Sequence, residues 1–259
     1  MATLQIHQIP CLQDNYGYLI HDPDARLTAT IDTPDPAAIE RALADRGWRL
    51  DYILNTHHHA DHAGGNLALK QKTGCVIVGS RPDAARIPGI DVLVGEGDSF
   101  ALGSHRARVI ETPGHTVGHI CYLFEDDLAA FVGDTLFSLG CGRLFEGTPA
   151  QMWASMQKLM ALPDATRVYC AHEYTAGNGR FAVTLEPQNV ALADRVREVA
   201  ALRGAGQPTI PSTIGMEKAT NPFLRPASPE LRATLKLPAA SDADVLGETR
   251  RRKDHFQDR

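Results

Sequence analysis

The chain has no apolar run approaching the roughly 18 residues that a membrane-crossing helix needs, so no membrane role is expected. Its start, Met1-Ala2-Thr3-Leu4-Gln5, has neither the basic opening nor the apolar stretch of a secretory leader, which makes cytoplasmic residence the default. Basic residues are not in excess: 26 Lys and Arg against 31 Asp and Glu leave a formal net charge of −5. That balance argues against broad binding to nucleic-acid phosphates. Cysteine is sparse and unpatterned. Cys11, Cys75, Cys121, Cys141 and Cys170 are odd in number and include no Cys-x-x-Cys pair. A disulfide framework is therefore not expected, and these residues read as small apolar packing groups. Low-complexity tracts and short repeats are also missing.

What remains suits a packed enzyme-sized fold. The 259 residues, 43% apolar and 22% charged, fit one large domain or one domain with a small appendage. The first half alternates strands and helices. Strands are expected at 4–9, 16–21, 27–32, 52–54 and 76–78. A helix opens at Asp35-Pro36 and ends at Gly47, and a second is closed by Gly74. Further strands are expected at 99–102, 106–111, 119–124, 128–132 and 167–170, with a helix over 149–162 capped by Thr148. After about residue 174 the strand pattern fades. Helical segments at 189–202, 228–235 and 242–256 are separated by prolines, which suggests a small, mostly helical C-terminal domain.

Five of the eleven histidines, His57, His59, His62, His115 and His172, stand in three short segments of like construction. In each, a metal-compatible side chain follows an apolar strand and an abrupt turn. Asp134, in Val132-Gly133-Asp134-Thr135, is a fourth case. Strand ends can bring such donors to one sheet edge and hold them rigidly. Within His57-His58-His59-Ala60-Asp61-His62, residues two apart point to the same side of an extended chain, so His57 and His59 pair and His58 points away. Asp61 and His62 follow in a turn and can address a second centre, with Gly64-Gly65 letting the backbone turn sharply beside it. A surface histidine run or a tag would not be built into a strand–loop–helix unit. Seven His and Asp donors exceed one tetrahedral ion and suit two ions sharing a carboxylate. Imidazole and carboxylate donors fit zinc, iron or manganese.

These motifs, with Thr-Pro-Gly-His-Thr at 112–116, Gly-Asp-Thr-Leu-Phe at 133–137 and Ala-His-Glu-Tyr-Thr at 171–175, resemble the metallo-β-lactamase superfamily. The Asp14-Asn15-Tyr16 segment, the stretch from Gly140 to Thr148 and the basic run Arg250-Arg251-Arg252-Lys253 make the chain similar to the glyoxalase II, or hydroxyacylglutathione hydrolase, family. The resemblance covers essentially the whole chain. It implies a four-layer αββα sandwich over 1–173 and a helical glutathione-binding domain over 174–259. It implies two divalent ions, zinc in the first instance: His57, His59 and His115 on one, Asp61, His62 and His172 on the other, with Asp134 and a hydroxide bridging them. It implies hydrolysis of S-D-lactoylglutathione to glutathione and D-lactate, the second step of methylglyoxal detoxification. A monomer is expected. It further implies glutathione contacts from Arg143, Tyr174, Arg250 and Lys253. Some family members carry Lys and Tyr where this chain has Arg143 and Phe145; Phe145 has no hydroxyl to donate.

The chemistry such a site would perform follows from its parts. A thioester is an activated acyl group with a good leaving thiolate, so the reaction needs a nucleophile more than an acid. Asp134 would set the ion spacing and Asp61 would orient the hydroxide. Arg250 and Lys253 are three apart on an expected helix, hence on one face, where they could meet a carboxylate or simply offset the helix dipole. His119 reads either as a group steadying a ligand or as ordinary strand packing. The rivals are a one-iron persulfide dioxygenase of the same superfamily, a β-lactamase, and a zinc-stabilised binding module. The last would need a closed site of about four ligands, often cysteines.

Overall fold

The computed structural model describes residues 2–257; Met1, Asp258 and Arg259, at the ends of the two expected domains, lie outside the described residues. The chain forms two compact units. One comprises Met1–Glu111 and Val117–Gly133, the other Thr112–Thr116 and Asp134–Arg259.

In the first unit, one sheet runs in chain order through β1 (Gln5–Cys11), β2 (Asn15–Asp22), β3 (Leu27–Ile31), β4 (Tyr52–Leu54), β5 (Val76–Ser80) and β6 (Val92–Val94). The β1–β2 and β2–β3 pairs are antiparallel, and β3 through β6 run parallel. Parallel neighbours need crossovers: α1 (Pro36–Arg46) supplies the one before β4, α3 (Asn66–Thr73), after the single turn α2 (Ala60–Ala63), the one before β5, and the non-helical segment 81–91 the one before β6. The Asp35 side chain accepts from Ala38 N, and Gly47 and Gly74 close α1 and α3 in the left-handed conformation. The α1 stripe Ala38, Ile39, Ala42 and Leu43 packs on Leu19, Ile53 and Ile77 of the sheet. A second, antiparallel layer has the order β10 (Ala129–Gly133), β9 (Ile120–Phe124), β8 (His105–Glu111), β7 (Ser99–Leu102). Every residue of β2 is buried because both its faces are covered. Leu19 faces α1, while Tyr18 meets Phe131 of β10 edge-to-face at 5.5 Å. The two sheets thus pack face to face, with helices outside the first.

The second unit begins with the small hairpin β11 (Leu136–Phe137) and β12 (Gly140–Cys141), then α4 (Pro149–Met160) and β13 (Arg167–Cys170). Thr148 and Gln151 form a reciprocal capping box at the start of α4. Helices α5 (Thr175–Leu185), α6 (Val190–Gly204), α7 (Ile214–Thr220), α8 (Pro229–Leu235) and α9 (Asp242–Asp254) follow, with the strand β14 (Ser212–Thr213) paired to β13. The mostly helical character expected after residue 174 is present. Three helical segments were legible there; α5 and α7 were not. Gly177 and Gly179 lower the helix propensity of α5, whose apolar face is nevertheless buried through Phe181, Ala182 and Leu185. The strand β6 also lay outside expectation, being three residues long and largely exposed.

Candidate metal centre

Each expected donor follows a strand, so the site can be built from the sheet edges outward. In the first unit β4 delivers Asn55 and Thr56 and then the histidine cluster. His57 is fully buried, and its Nε2 lies 3.0 Å from His59 Nδ1. Two bonds of 2.0–2.1 Å to one tetrahedral ion would leave such nitrogens about 3.3 Å apart, so the pair fits a shared metal. The His62 ring lies 4.0 Å from that of His57, and its Nε2 is 3.6 Å from Asp61 Oδ2. His58 turns the other way, with Nδ1 3.0 Å from Oδ2 of the buried Asp83.

Two residues outside the expected donor set, Asp32 and Asn15, steady these donors. Asp32, at the end of β3, accepts from His62 Nδ1 at 2.8 Å, Thr56 N at 2.8 Å and Thr56 Oγ1 at 2.7 Å. A carboxylate on one ring nitrogen fixes the other toward a metal and raises its basicity. The His62 carbonyl is pinned as well, accepting from Thr33 N at 2.7 Å and Asn55 Nδ2 at 3.1 Å. Asn15 donates through Nδ2 to Asp61 Oδ2 at 3.2 Å, which aims that half-exposed carboxylate. Asn15 was legible only as part of a turn and of the family resemblance. His119 stacks on His57 at 4.9 Å with an interplanar angle of 26°.

Gly64 and Gly65 form the turn between α2 and α3 with ordinary negative φ, so this turn uses no left-handed backbone. Gly65 is required for closeness: a Cβ there would lie 2.6 Å from Thr33 O. Gly133 needs both, with φ +48° and a Cβ position 2.7 Å from His119 Nε2.

The second unit carries the other three donors, and Asp134 sits between two of them. Its Oδ2 is 3.4 Å from His115 Nε2, and its Oδ1 is 3.5 Å from His172 Nε2. All three side chains are buried. Such distances are long for hydrogen bonds and match ligand atoms converging on ions from either side of one carboxylate. His115 is aimed by its Nδ1, which donates to Arg143 O at 2.8 Å. His172 stacks on Tyr174 at 4.7 Å and 6°, with Phe137 edge-on at 5.8 Å.

The expected glutathione contacts differ in freedom. The Arg143 side chain is 64% exposed, with Nε 3.6 Å from Asp254 Oδ1. Arg250 is buried; it donates to Cys141 O at 2.8 Å, pairs with Asp254 at 2.9 Å and lies over the Phe223 ring at 5.4 Å. Lys253 donates to Gly177 O at 3.1 Å and lies over the Phe181 and Phe256 rings. Phe145 is exposed and meets His115 edge-on at 5.2 Å. None of the five cysteines is in a disulfide, and all are buried. Burial pushes the Cys141 thiol up to about 11 and the Cys170 thiol up to about 12, so neither offers a thiolate.

Residues 23–172 match the family model of the metallo-beta-lactamase superfamily, and residues 173–256 match that of the hydroxyacylglutathione hydrolase C-terminus. The chain therefore has the metallo-β-lactamase fold followed by a helical segment, and its His and Asp donors are those of a divalent-metal enzyme. Within that superfamily it belongs to the hydroxyacylglutathione hydrolases. It is 57% identical to the hydroxyacylglutathione hydrolase of Methylococcus capsulatus over 98% of this chain and 99% of the relative. The enzyme of that name from Maricaulis maris is 56% identical over 99% of this chain and its own full length. Among solved structures, ETHE1 from Myxococcus xanthus aligns with a TM-score of 0.66 at 27% identity, over 94% of this chain and 95% of that one.

Proposed function

We propose that the chain hydrolyses S-D-lactoylglutathione and related 2-hydroxyacylglutathiones to glutathione and the free acid, as a metal-dependent hydrolase of the glyoxalase pathway. The observation that carries this reading is the Asp134 carboxylate, which presents one oxygen to His115 and the other to His172. In this reading His57, His59 and His115 would hold one ion, Asp61, His62 and His172 the other, and Asp134 would serve both. Zinc suits these donors, with iron and manganese as alternatives. Bound divalent ions lower the pKa of water toward about 7 and stabilise a developing oxyanion.

The protein's own residues do the rest. Asp134 and Asp61 would orient the nucleophile, while Asp32 fixes the His62 ring and Arg143 O fixes the His115 ring. Division of labour follows the expected domains: residues 1–173 for chemistry, 174–259 for the glutathione moiety. Arg143, Tyr174, Arg250 and Lys253 are the proposed contacts. Arg143 meets a carboxylate most freely, since it is exposed. Arg250 also holds the Cys141 carbonyl, so its loss affects structure as well as affinity. We further propose a cytoplasmic monomer: none of the five cysteines is in a disulfide, as a reducing compartment keeps them, and no described helix is long and apolar enough to cross a membrane.

The test is release of D-lactate from S-D-lactoylglutathione, against a panel of other glutathione thioesters, on protein of measured metal content. Activity that scales with bound metal is expected. Absence of thioester hydrolysis together with oxygen uptake on a persulfide would replace the hydrolase with the dioxygenase reading.

A further inference from the structure

The hairpin β11–β12 is held by side chains of the C-terminal helices, almost bond by bond. Asn178 of α5 donates through Nδ2 to Ser138 O at 3.1 Å. Glu217 of α7 accepts from Leu139 N at 2.8 Å. Asn221, just after α7, donates through Nδ2 to Phe137 O at 3.1 Å, to Gly140 O at 3.0 Å and to Glu217 Oε2 at 3.0 Å. Arg250 of α9 covers Cys141 O. All four side chains are buried.

A solvent-facing hairpin needs none of this, because water satisfies its backbone. Here the tip is buried and Leu139 adopts a φ of +59°, a left-handed conformation unfavourable for a non-glycine residue. The cost is offset by burial of the Leu139 side chain against Ala182 and Leu192. A fully buried carboxyl at Glu217 is a second unfavourable feature, tolerated because Leu139 N, Asn221 and Ser212 Oγ donate to it. Two such features in one small hairpin call for a reason, and its flanks supply one. Asp134 stands two residues before β11. Gly142, directly after β12, donates to Thr135 O at 3.3 Å, and Arg143 O orients His115. Phe137 of the hairpin packs against His172. Every donor of the second unit thus touches the hairpin or its flanks.

We infer that Asn178, Glu217 and Asn221 are positioning residues that set the Asp134 carboxylate and the His115 ring at the metal-binding geometry. The helical segment then has a task besides holding glutathione. The inference rests on the proposed assignment of Asp134 and His115 as metal ligands.

It is tested by zinc affinity, measured by competition with a chromophoric chelator, alongside the melting temperature of the metal-free chain. Asn221→Ala weakens zinc binding about 10–100-fold, the range seen when residues orienting metal ligands are removed, and Asn178→Ala shifts it in the same direction. Glu217→Gln, whose amide oxygen still accepts from Leu139 N, restores near-native affinity. Arg225→Ala breaks the 2.9 Å ion pair with Glu186, which joins the end of α5 to the turn after α7, and lowers the melting temperature without moving zinc affinity. Native zinc affinity in both asparagine variants would overturn the inference, as would an equal loss in Arg225→Ala. Should Asn221→Ala not fold, Asn178→Ala against Arg225→Ala decides. Asp134→Ala separates the two levels: zinc lost there but kept in the asparagine variants sinks the positioning role alone, whereas zinc kept in Asp134→Ala sinks the ligand assignment beneath it.

Discussion

His62 donates through Nδ1 to Asp32 Oδ2 at 2.8 Å, and that contact joins residues thirty positions apart. It leaves Nε2 as the ring atom facing the candidate metal. Asp32 also holds Thr56 by backbone and side chain, so one buried carboxylate aligns the entry to the cluster and one of its ligands.

Replacing Asp32 by Asn therefore weakens metal binding about 10–100-fold while leaving all seven proposed ligands in place. Metal content after dialysis against a chelator checks this. Native retention in Asp32→Asn would show that the contact is not what holds His62 in register.

The basic residues of α9 separate by what they already touch. Lys253→Ala raises KM for the glutathione thioester more than it lowers kcat, because the contact lies far from the reacting carbonyl. Arg250→Ala does the same and also lowers Tm, since it exposes the Cys141 carbonyl and leaves Asp254 without its 2.9 Å partner. Steady-state kinetics and thermal melts on both variants provide the comparison; a fall in kcat at constant KM would argue against substrate contact.

How much of this was legible follows from distance along the chain. The pairing of His57 with His59, and the outward turn of His58, came from residue spacing, and the structure has both. Caps at Asp35 and Thr148 were equally local. Asp32 was not legible, because its partners are reached only when β3 and β4 lie side by side. Helix α5 was hidden by Gly177 and Gly179, and its helicity comes from burial rather than propensity. The turn at Gly64-Gly65 is local and legible; the need for space against Thr33 at Gly65 arises only in the folded chain.

Acid stability gives a prediction remote from the active site. Asp22 is buried, which by itself raises its pKa. Donors from Ala25, Ser104 and Asp24 outweigh that and hold it down at about 2. The folded pKa lies below the unfolded value of about 3.9, so the carboxylate stabilises the fold above that value. This contribution fades as pH falls from about 4 toward 2. Asp22→Asn lowers stability by about 2 kcal/mol at neutral pH and by progressively less toward pH 2. Denaturant melts at pH 7 and pH 3 check the sign; an equal loss at both would refute the linkage.

If one carboxylate serves two ions in a hydrolytic site, the metal-to-protein ratio of Asp134→Ala reports it. The native protein is expected to bind close to two divalent ions per chain, and Asp134→Ala markedly fewer, with no thioester hydrolysis by the variant. A variant that keeps the native metal content and hydrolyses the thioester at the native rate would contradict it.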